Sequence, residues 1–600
     1  MLPATDHRNE YRTARSIAIG SPPRRDKPAR SKPARRKPPR QGFFLVLVLL
    51  VVVVATLAVY SFTGVMIAYD DAAYLSSDLV RARVAAESGA EAVRLILSQP
   101  RLNRQDMGGI YNNANLFQAI AVSNQDSSNV CNFSIPAPDL NESGMLAGIR
   151  FGLQDESARL NLNTLTILDE NSDGLMAAMS LMSAAEDGGE DSEDLSTGNI
   201  ATSLLMGLPG MTEDVADAIL DWLDEDDEPR LYGAELEYYS TLPTPYEPAN
   251  KQLSSVEELL LVRGVTPTLL FGADSNRNGM LDADEQQRFG ASVDTPGALG
   301  WSAYLTVHGN EANRQRDGSF RVNVNADDLE TLYDDLAAAL EDETFASFIC
   351  AYRIAGAPSS LAGVVAGGGE QQGGGGGQQG GGDADDQVNQ TTRDGGVWTS
   401  ELISEFDLSG GGGTELTQVL DLIDATVTVG EGDNAVSYRS PFDLLTMGAY
   451  LPLVMDRLST SDTATMPGRI NLNECPAELL YGIPLLDEEQ VAAIIEARVS
   501  GEEDENRLYE TWPMVEGIVT LDQMRSLLPL LTGGGDVYRA QIVGYFESSG
   551  LAHRQEVIVD ATTVNPKIVS FRDLSHLGRG FDLSVLGLRN GLQAAGVAPQ

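Results

Sequence analysis

Residues 274–285 read DSNRNGMLDADE, a spacing that suits a hard divalent cation. Asp274, Asn276, Asn278, the carbonyl of Met280, Asp282 and Glu285 fall at positions 1, 3, 5, 7, 9 and 12 of a calcium loop, with Gly279 at the position-6 turn. Calcium takes six to eight hard oxygens, and a flexible loop ending in a bidentate glutamate supplies them, so a structural calcium is expected here. A second stretch, DENSDG from Asp169, holds only the first half of the pattern, with Ser180 at position 12. Asp221, Asp224, Asp226, Asp227 and Glu228 crowd like charges, which costs energy unless a cation or solvent screens them. Catalytic patterns are missing: His7, His308, His553 and His576 are scattered, and no H-E-x-x-H, G-x-S-x-G or G-x-x-x-x-G-K-[ST] occurs. Enzymatic activity is therefore not expected.

Charge is divided unevenly along the chain. The first 41 positions hold 12 of the 41 basic and 3 of the 87 acidic residues, leaving 29 basic against 84 acidic residues beyond them. So acidic a body repels phosphate backbones, and no nucleic-acid partner is expected. Cys131, Cys350 and Cys475 are too few for a disulfide framework; one pair, or three packed thiols, are both open.

The basic leader is rich in proline and ends at Gln41-Gly42. An apolar run of about 26 residues follows, Phe43 to Ala68, where roughly 20 span a bilayer. The basic flank stays cytoplasmic and the acidic body lies outside. Leu75, Leu79, Ala82, Ala86, Ala90, Val93 and Leu97 then recur at steps of three and four, one apolar stripe on a helix ending near Pro100.

A short alternating motif occurs three times, as Arg159-Leu-Asn-Leu-Asn163, Arg321-Val-Asn-Val-Asn325 and Arg469-Ile-Asn-Leu-Asn473. Each reads as a strand with one buried face, its last asparagine starting a turn. Two copies lead to Leu205–Ile219 and Leu480–Ile494, which resemble helix-hairpin-helix units, with Thr212 and Asp487 as expected caps. Leu485 stands where the second hairpin would have glycine, and the flanks are acidic. Residues 367–382 are a Gly/Gln coil. Residues 538–546 and 554–560 read as paired strands, while Ser570–Leu583 carries no readable motif.

The junction Gln41-Gly42-Phe43-Phe44, with its basic leader and long apolar helix, resembles that of type IV pilins and pseudopilins. Leu47 stands at the fifth position after the junction, where most pilins have glutamate, as is typical of the K-type minor pseudopilins of type II secretion. Residues 155–163, 220–230, 233–239, 245–250 and 253–267 are similar to that family's helical insertion in order and spacing. The resemblance implies a single-pass inner-membrane protein with a periplasmic ectodomain, cut by a prepilin peptidase between Gly42 and Phe43. It implies partners of the I and J types bound through the stripe Leu75–Leu97, and a cap on the pseudopilus. Family members carry calcium in the helical domain, which implies a second cation site near Asp224, Asp226, Asp227, Glu235 and Glu237. The runner-up is a membrane-anchored DNA-uptake receptor, which also uses such hairpins but needs basic ones.

The expected fold is α+β: a long N-terminal helix and a pseudopilin α/β core, with a large all-α (helix-hairpin-helix/SAM-like) insertion and a second such unit. In order these are a leader (1–42), a transmembrane helix (43–68), its amphipathic continuation (69–100) and an α/β part (101–163). A helical insertion with the EF-hand-like loop (164–300), an α/β segment (301–362) and a linker (363–396) follow. An unassigned α/β stretch (397–465), the second hairpin unit (466–535) and C-terminal strands with a tail (536–600) complete the chain.

Overall fold

The apolar run and the stripe behind it form one helix, α1 (Gly42–Leu97). Its few polar residues do not interrupt it, because the hydroxyls of Thr56 and Thr63 donate back to the carbonyls of Val52 and Val59. The helix is long and apolar enough to cross a membrane, with its most apolar window wholly exposed, and fits a single-pass anchor. The computed structural model describes residues 42–122, 130–170, 199–292, 295, 297–356, 393–430, 435–500, 504–547 and 549–587. The basic leader, the Gly/Gln coil and the half-loop beyond Glu170 lie outside these.

From Tyr74 onward the chain is one compact unit. Its sheet comprises β1 (Ile120–Ala121), β2 (Cys131–Ser134), β3 (Gln154–Asp155), β4 (Val537–Phe546), β5 (Ala552–Asp560) and β6 (Lys567–Asp573). All pairings are antiparallel, in the order β1-β2-β4-β5-β6, with β3 on the other end of the β4 edge that takes β2. β6 occupies a stretch in which the sequence pattern showed no element.

β4 alternates with period two and is buried on both faces. Tyr538, Ala540 and Ile542 join Ala86, Ala90, Val93 and Leu97 of α1 in one apolar cluster, and Phe546 packs with Ala82 and Ala85. The approach is close because small residues meet: a Cβ on Gly544 would lie 2.0 Å from the Ala82 carbonyl oxygen, and one on Gly89 2.7 Å from Ile542. This corrects the expected partner stripe. Ala82, Ala86, Ala90, Val93 and Leu97 are covered by the chain's own sheet, leaving Leu75 and Leu79 exposed.

Between β3 and β4 the chain makes three modules on one plan. Each opens with the repeated motif and closes by parallel pairing: Leu160–Asn161 with Leu305–Thr306, Val322–Asn323 with Leu458–Ser459, and Ile470–Asn471 with Leu531–Thr532. The last asparagine of each motif bridges two distant carbonyls from Nδ2. Asn163 reaches Leu253 and Val307, Asn325 reaches Leu416 and Thr460, and Asn473 reaches Arg507 and Gly533. These carbonyls would otherwise lack partners at the module's seam. The expected boundaries at 301–362 and 397–465 are thereby corrected: Leu305–Thr306 closes the first module, while residues 322–356 and 397–459 share the second, joined where Trp398 Nε1 donates to Ser347 Oγ at 3.0 Å.

Two short-helix pairs lie in the first and third modules: α2 (Ile200–Met206) with α3 (Glu213–Leu223), and α4 (Ala477–Tyr481) with α5 (Glu488–Ser500). Gly207 and Gly482 meet back to back; a Cβ on Gly207 would stand 2.5 Å from Gly482 Cα. Asp487 caps α5, accepting from Gln490 N at 2.7 Å. Thr212 makes no such bond at α3, where the first turn is exposed to water. The three cysteines are buried and unpaired.

Candidate functional site

The cation loop lies on the sheet face opposite α1. The alternation that sends Ile542 toward α1 sends Gln541, Val543 and Tyr545 the other way. Gln541 Nε2 and Arg554 donate to the Arg277 carbonyl, and Arg554 donates to that of Asn276 at 2.8 Å. Asn278 Nδ2 donates to Gly580 O at 2.7 Å, and the Met280 side chain packs with Val543, Tyr545, Phe581 and Leu586. Gly279 takes φ +80°, the left-handed turn that position 6 requires.

The predicted ligands come together, with their oxygens partly engaged. Asp274 accepts from Asn278 N and Gly279 N, at 3.1 and 2.8 Å. Glu285 Oε1 accepts from Ser275 N and Asn276 N, while its Oε2 accepts from Asp282 N. Asp282 Oδ2 accepts from the side-chain amides of Asn276 and Asn278. Asn276 Oδ1 is buried with no partner among the described residues, and burial pushes Asp274 up to about 6. A buried carboxyl and an orphaned carbonyl oxygen fit a cation. Among the described residues no cluster of three or more His, Cys, Asp or Glu side chains is arranged to hold a metal. Two of this loop's six positions are asparagines and one is a backbone carbonyl.

The second acidic cluster is built around Arg230, which donates to Asp169 at 2.6, Asp221 at 2.8 and Asp224 at 2.6 Å. Beside it, both carboxylate oxygens of Glu235 and Asp224 Oδ1 are buried without a partner among the described residues. Burial, then Asp221 and Asp224, push Glu235 up to about 7. Asp227 accepts from Asn250, while Asp226 and Glu237 are exposed. Of the five residues expected near a second cation, Asp224 and Glu235 thus turn inward, while Asp226, Asp227 and Glu237 face water. Arg230 and Arg554 escaped notice in the sequence because neither is a ligand type, although the period-two pattern of β5 includes Arg554.

Residues 158–271 match the family model described as Type II secretion system (T2SS), protein K. This segment, less than a fifth of the chain, is the part that is similar to that family. It contains the first motif, both short helices of the first module and the Arg230–Glu235 cluster, and ends just before Asp274. Two curated relatives agree over short stretches. Type II secretion system protein K of Pectobacterium carotovorum subsp. carotovorum is 40% identical over 57 residues, 10% of this chain and 17% of that protein. Putative type II secretion system protein K of Escherichia coli (strain K12) is 35% identical over 60 residues, 10% of this chain and 18% of that protein. The match therefore spans under a fifth of either relative. "The Crystal Structure of the GspK-GspI-GspJ complex from enterotoxigenic Escherichia coli Type 2 Secretion System" aligns over 84% of this chain and 98% of that one, at 10% identity and a TM-score of 0.27. A likeness that weak carries no part of the reasoning below.

Proposed function

We propose that the chain is a K-type minor pseudopilin, a structural tip component of a type II secretion pseudopilus that supports protein export across the outer membrane. The observation that carries this reading is the segment similar to the protein K family, set between β3 and β4 of a sheet that holds α1. The apolar half of α1 anchors the chain in the inner membrane, with the modules in the periplasm. Prepilin peptidase removes the leader after Gly42, and the I and J types are the partners. The role is assembly rather than catalysis, and the short-helix pairs serve as helix-hairpin-helix packing units.

Since the sheet occupies the alanine stripe, the partners meet the outward face of α1, where Leu75 and Leu79 are joined by Val80 (60% exposed) and Val84 (49%). Mature protein from the native membrane is expected to begin at Phe43 and to co-purify with the I and J types. Val80→Asp with Val84→Asp should keep that N-terminus and lose the partners. A chain that retains its leader, or a double variant that still brings both partners down, refutes the assignment.

Calcium at Asp274–Glu285, and a second ion at Asp224 and Glu235, would neutralise carboxylates that burial disfavours. Extracellular calcium loops bind at about 10⁻⁴–10⁻³ M, so about 10 mM calcium is expected to stabilise the chain by about 1–3 kcal/mol per site. Thermal melts of the full-length protein check this. Asp274→Asn with Glu285→Gln should remove one increment and Glu235→Gln the other; calcium responses equal to wild type in both would exclude the sites.

A further inference from the structure

The three modules surround a cavity of about 600 Å³, within the range of about 300–1,000 Å³ typical of small-molecule sites. Its walls are mainly apolar, with Thr417, Ser459 and Thr463 among them, and come from all three modules: Leu160 and Leu204 from the first, Met455 and Leu458 from the second, Ile470 and Leu530 from the third. Three arginines and one glutamate also line it. Arg469 is committed to Glu311 and Glu510, at 2.7 and 3.0 Å. Arg525 is committed to Asp522 at 2.9 Å and to the carbonyls of Leu420 and Ile423. Arg321 differs. Its Nε donates to Asp456 O at 3.1 Å, and among the described residues its guanidinium has no carboxylate partner. Arg321 belongs to the second copy of the repeated motif, whose counterpart Arg469 is doubly paired.

Burial disfavours the charge of Arg321; Glu510 and Asp456 oppose that effect without forming an ion pair with it among the described residues, while Arg101 and Arg469 add to it. Glu510, the glutamate in the lining, is committed to Arg469 at 3.0 Å, so the outer prongs of Arg321 have no direct carboxylate partner among the described residues. We propose that the cavity is a binding site for an amphipathic monoanion, a carboxylate on an unbranched aliphatic tail, with Arg321 taking the carboxylate in its two-pronged donor geometry. The tail occupies the apolar walls between the modules. A site of this kind ties the three modules together through a bound molecule, and it does not depend on the pseudopilin assignment.

The probe is decanoate, measured by equilibrium dialysis against the full-length chain in nanodiscs, with empty nanodiscs subtracted. Saturable binding is expected, competed by unlabelled decanoate but not by decanol, which lacks the charge, or by acetate, which lacks the tail. Arg321→Gln should weaken it about tenfold or more, the loss of a charge-assisted pair. Met455→Trp should weaken it by filling the cavity while leaving Arg321 in place, and serves if Arg321→Gln does not fold. A diazirine-bearing analogue should label peptides around Leu204, Met455 and Leu530. No saturable binding, equal competition by decanol, or affinity unchanged in a folded variant each overturns the proposal.

Discussion

Gly544→Ala is expected to lift α1 off the sheet and to destabilise the ectodomain by about 3 kcal/mol or more. The added methyl has no route of relief. It would stand 2.0 Å from the Ala82 carbonyl oxygen and 2.8 Å from the Ala86 amide nitrogen, both backbone atoms of a helix. Rotamer changes cannot move them, so helix and strand must separate and uncover Ala86, Ala90 and Val93. Denaturant unfolding of the full-length protein measures the loss, and hydrogen exchange along residues 82–97 locates it. Gly64→Ala is the control: in the same helix, nothing lies within 4 Å of the added atom. Equal stability of the two variants would contradict the close helix–sheet contact.

Arg539→Met is expected to cost about 3–5 kcal/mol at neutral pH, since it leaves a fully buried carboxylate without its counter-charge. Arg539 Nε donates to Glu156 Oε1 at 2.6 Å, and the guanidinium also pairs with Glu556 at 3.5 Å. Against the burial that pushes Glu156 up, the charges of Arg539 and Arg159 hold it at about 2. The wild-type pair thus stabilises the fold above the ordinary glutamate value of about 4.3, and loses that contribution as pH falls toward 2. In the variant burial acts with less opposition, so Glu156 favours its protonated form and stability falls as pH rises through its new value. Arg159 remains nearby and places the loss toward the lower end of the range. Melting curves from pH 3 to pH 8 should show the wild-type–variant gap widening with pH. A gap that stays constant would assign the effect to lost packing instead.

Where the sequence was readable, the information was local. The conformation of the loop at 274–285 is set by twelve consecutive residues, and its left-handed Gly279 and inward Asp274 lie where the spacing put them. The anchor is set by composition, and the pair β4–β5 by alternation over residues 538–546 and 554–560. The alanine stripe shows what periodicity omits: it reveals that a face is buried, not what buries it. Here Gly89 and Gly544 were the available signal, because small residues on a helix and a strand permit an intimate contact. The second module was unreadable because Asn325 closes it across 91 and 135 residues, with no local pattern linking the two ends. Asp226, Asp227 and Glu237 face water where Glu235 turns inward, a difference that acidity alone does not reveal.

The order of strands bears on how the molecule is made. β2 and β3 emerge early, but β4, the stave that both lean on, is nearly the last to be synthesised. Asn132 meets Glu547 415 residues later, and Asp155 meets Gly535 380 residues later. Until then the alanine ridge of α1 has only early residues such as Phe117, Phe133 and Leu153 to rest against, although each module can close as soon as its own end has been translated. A product that stops short of residue 537 would keep three finished knots and a rod that is only half covered. The central place of β4 in the sheet, combined with its late place in the chain, thus works as an inspection stamp, granting a fully seated helix only to chains that reach it.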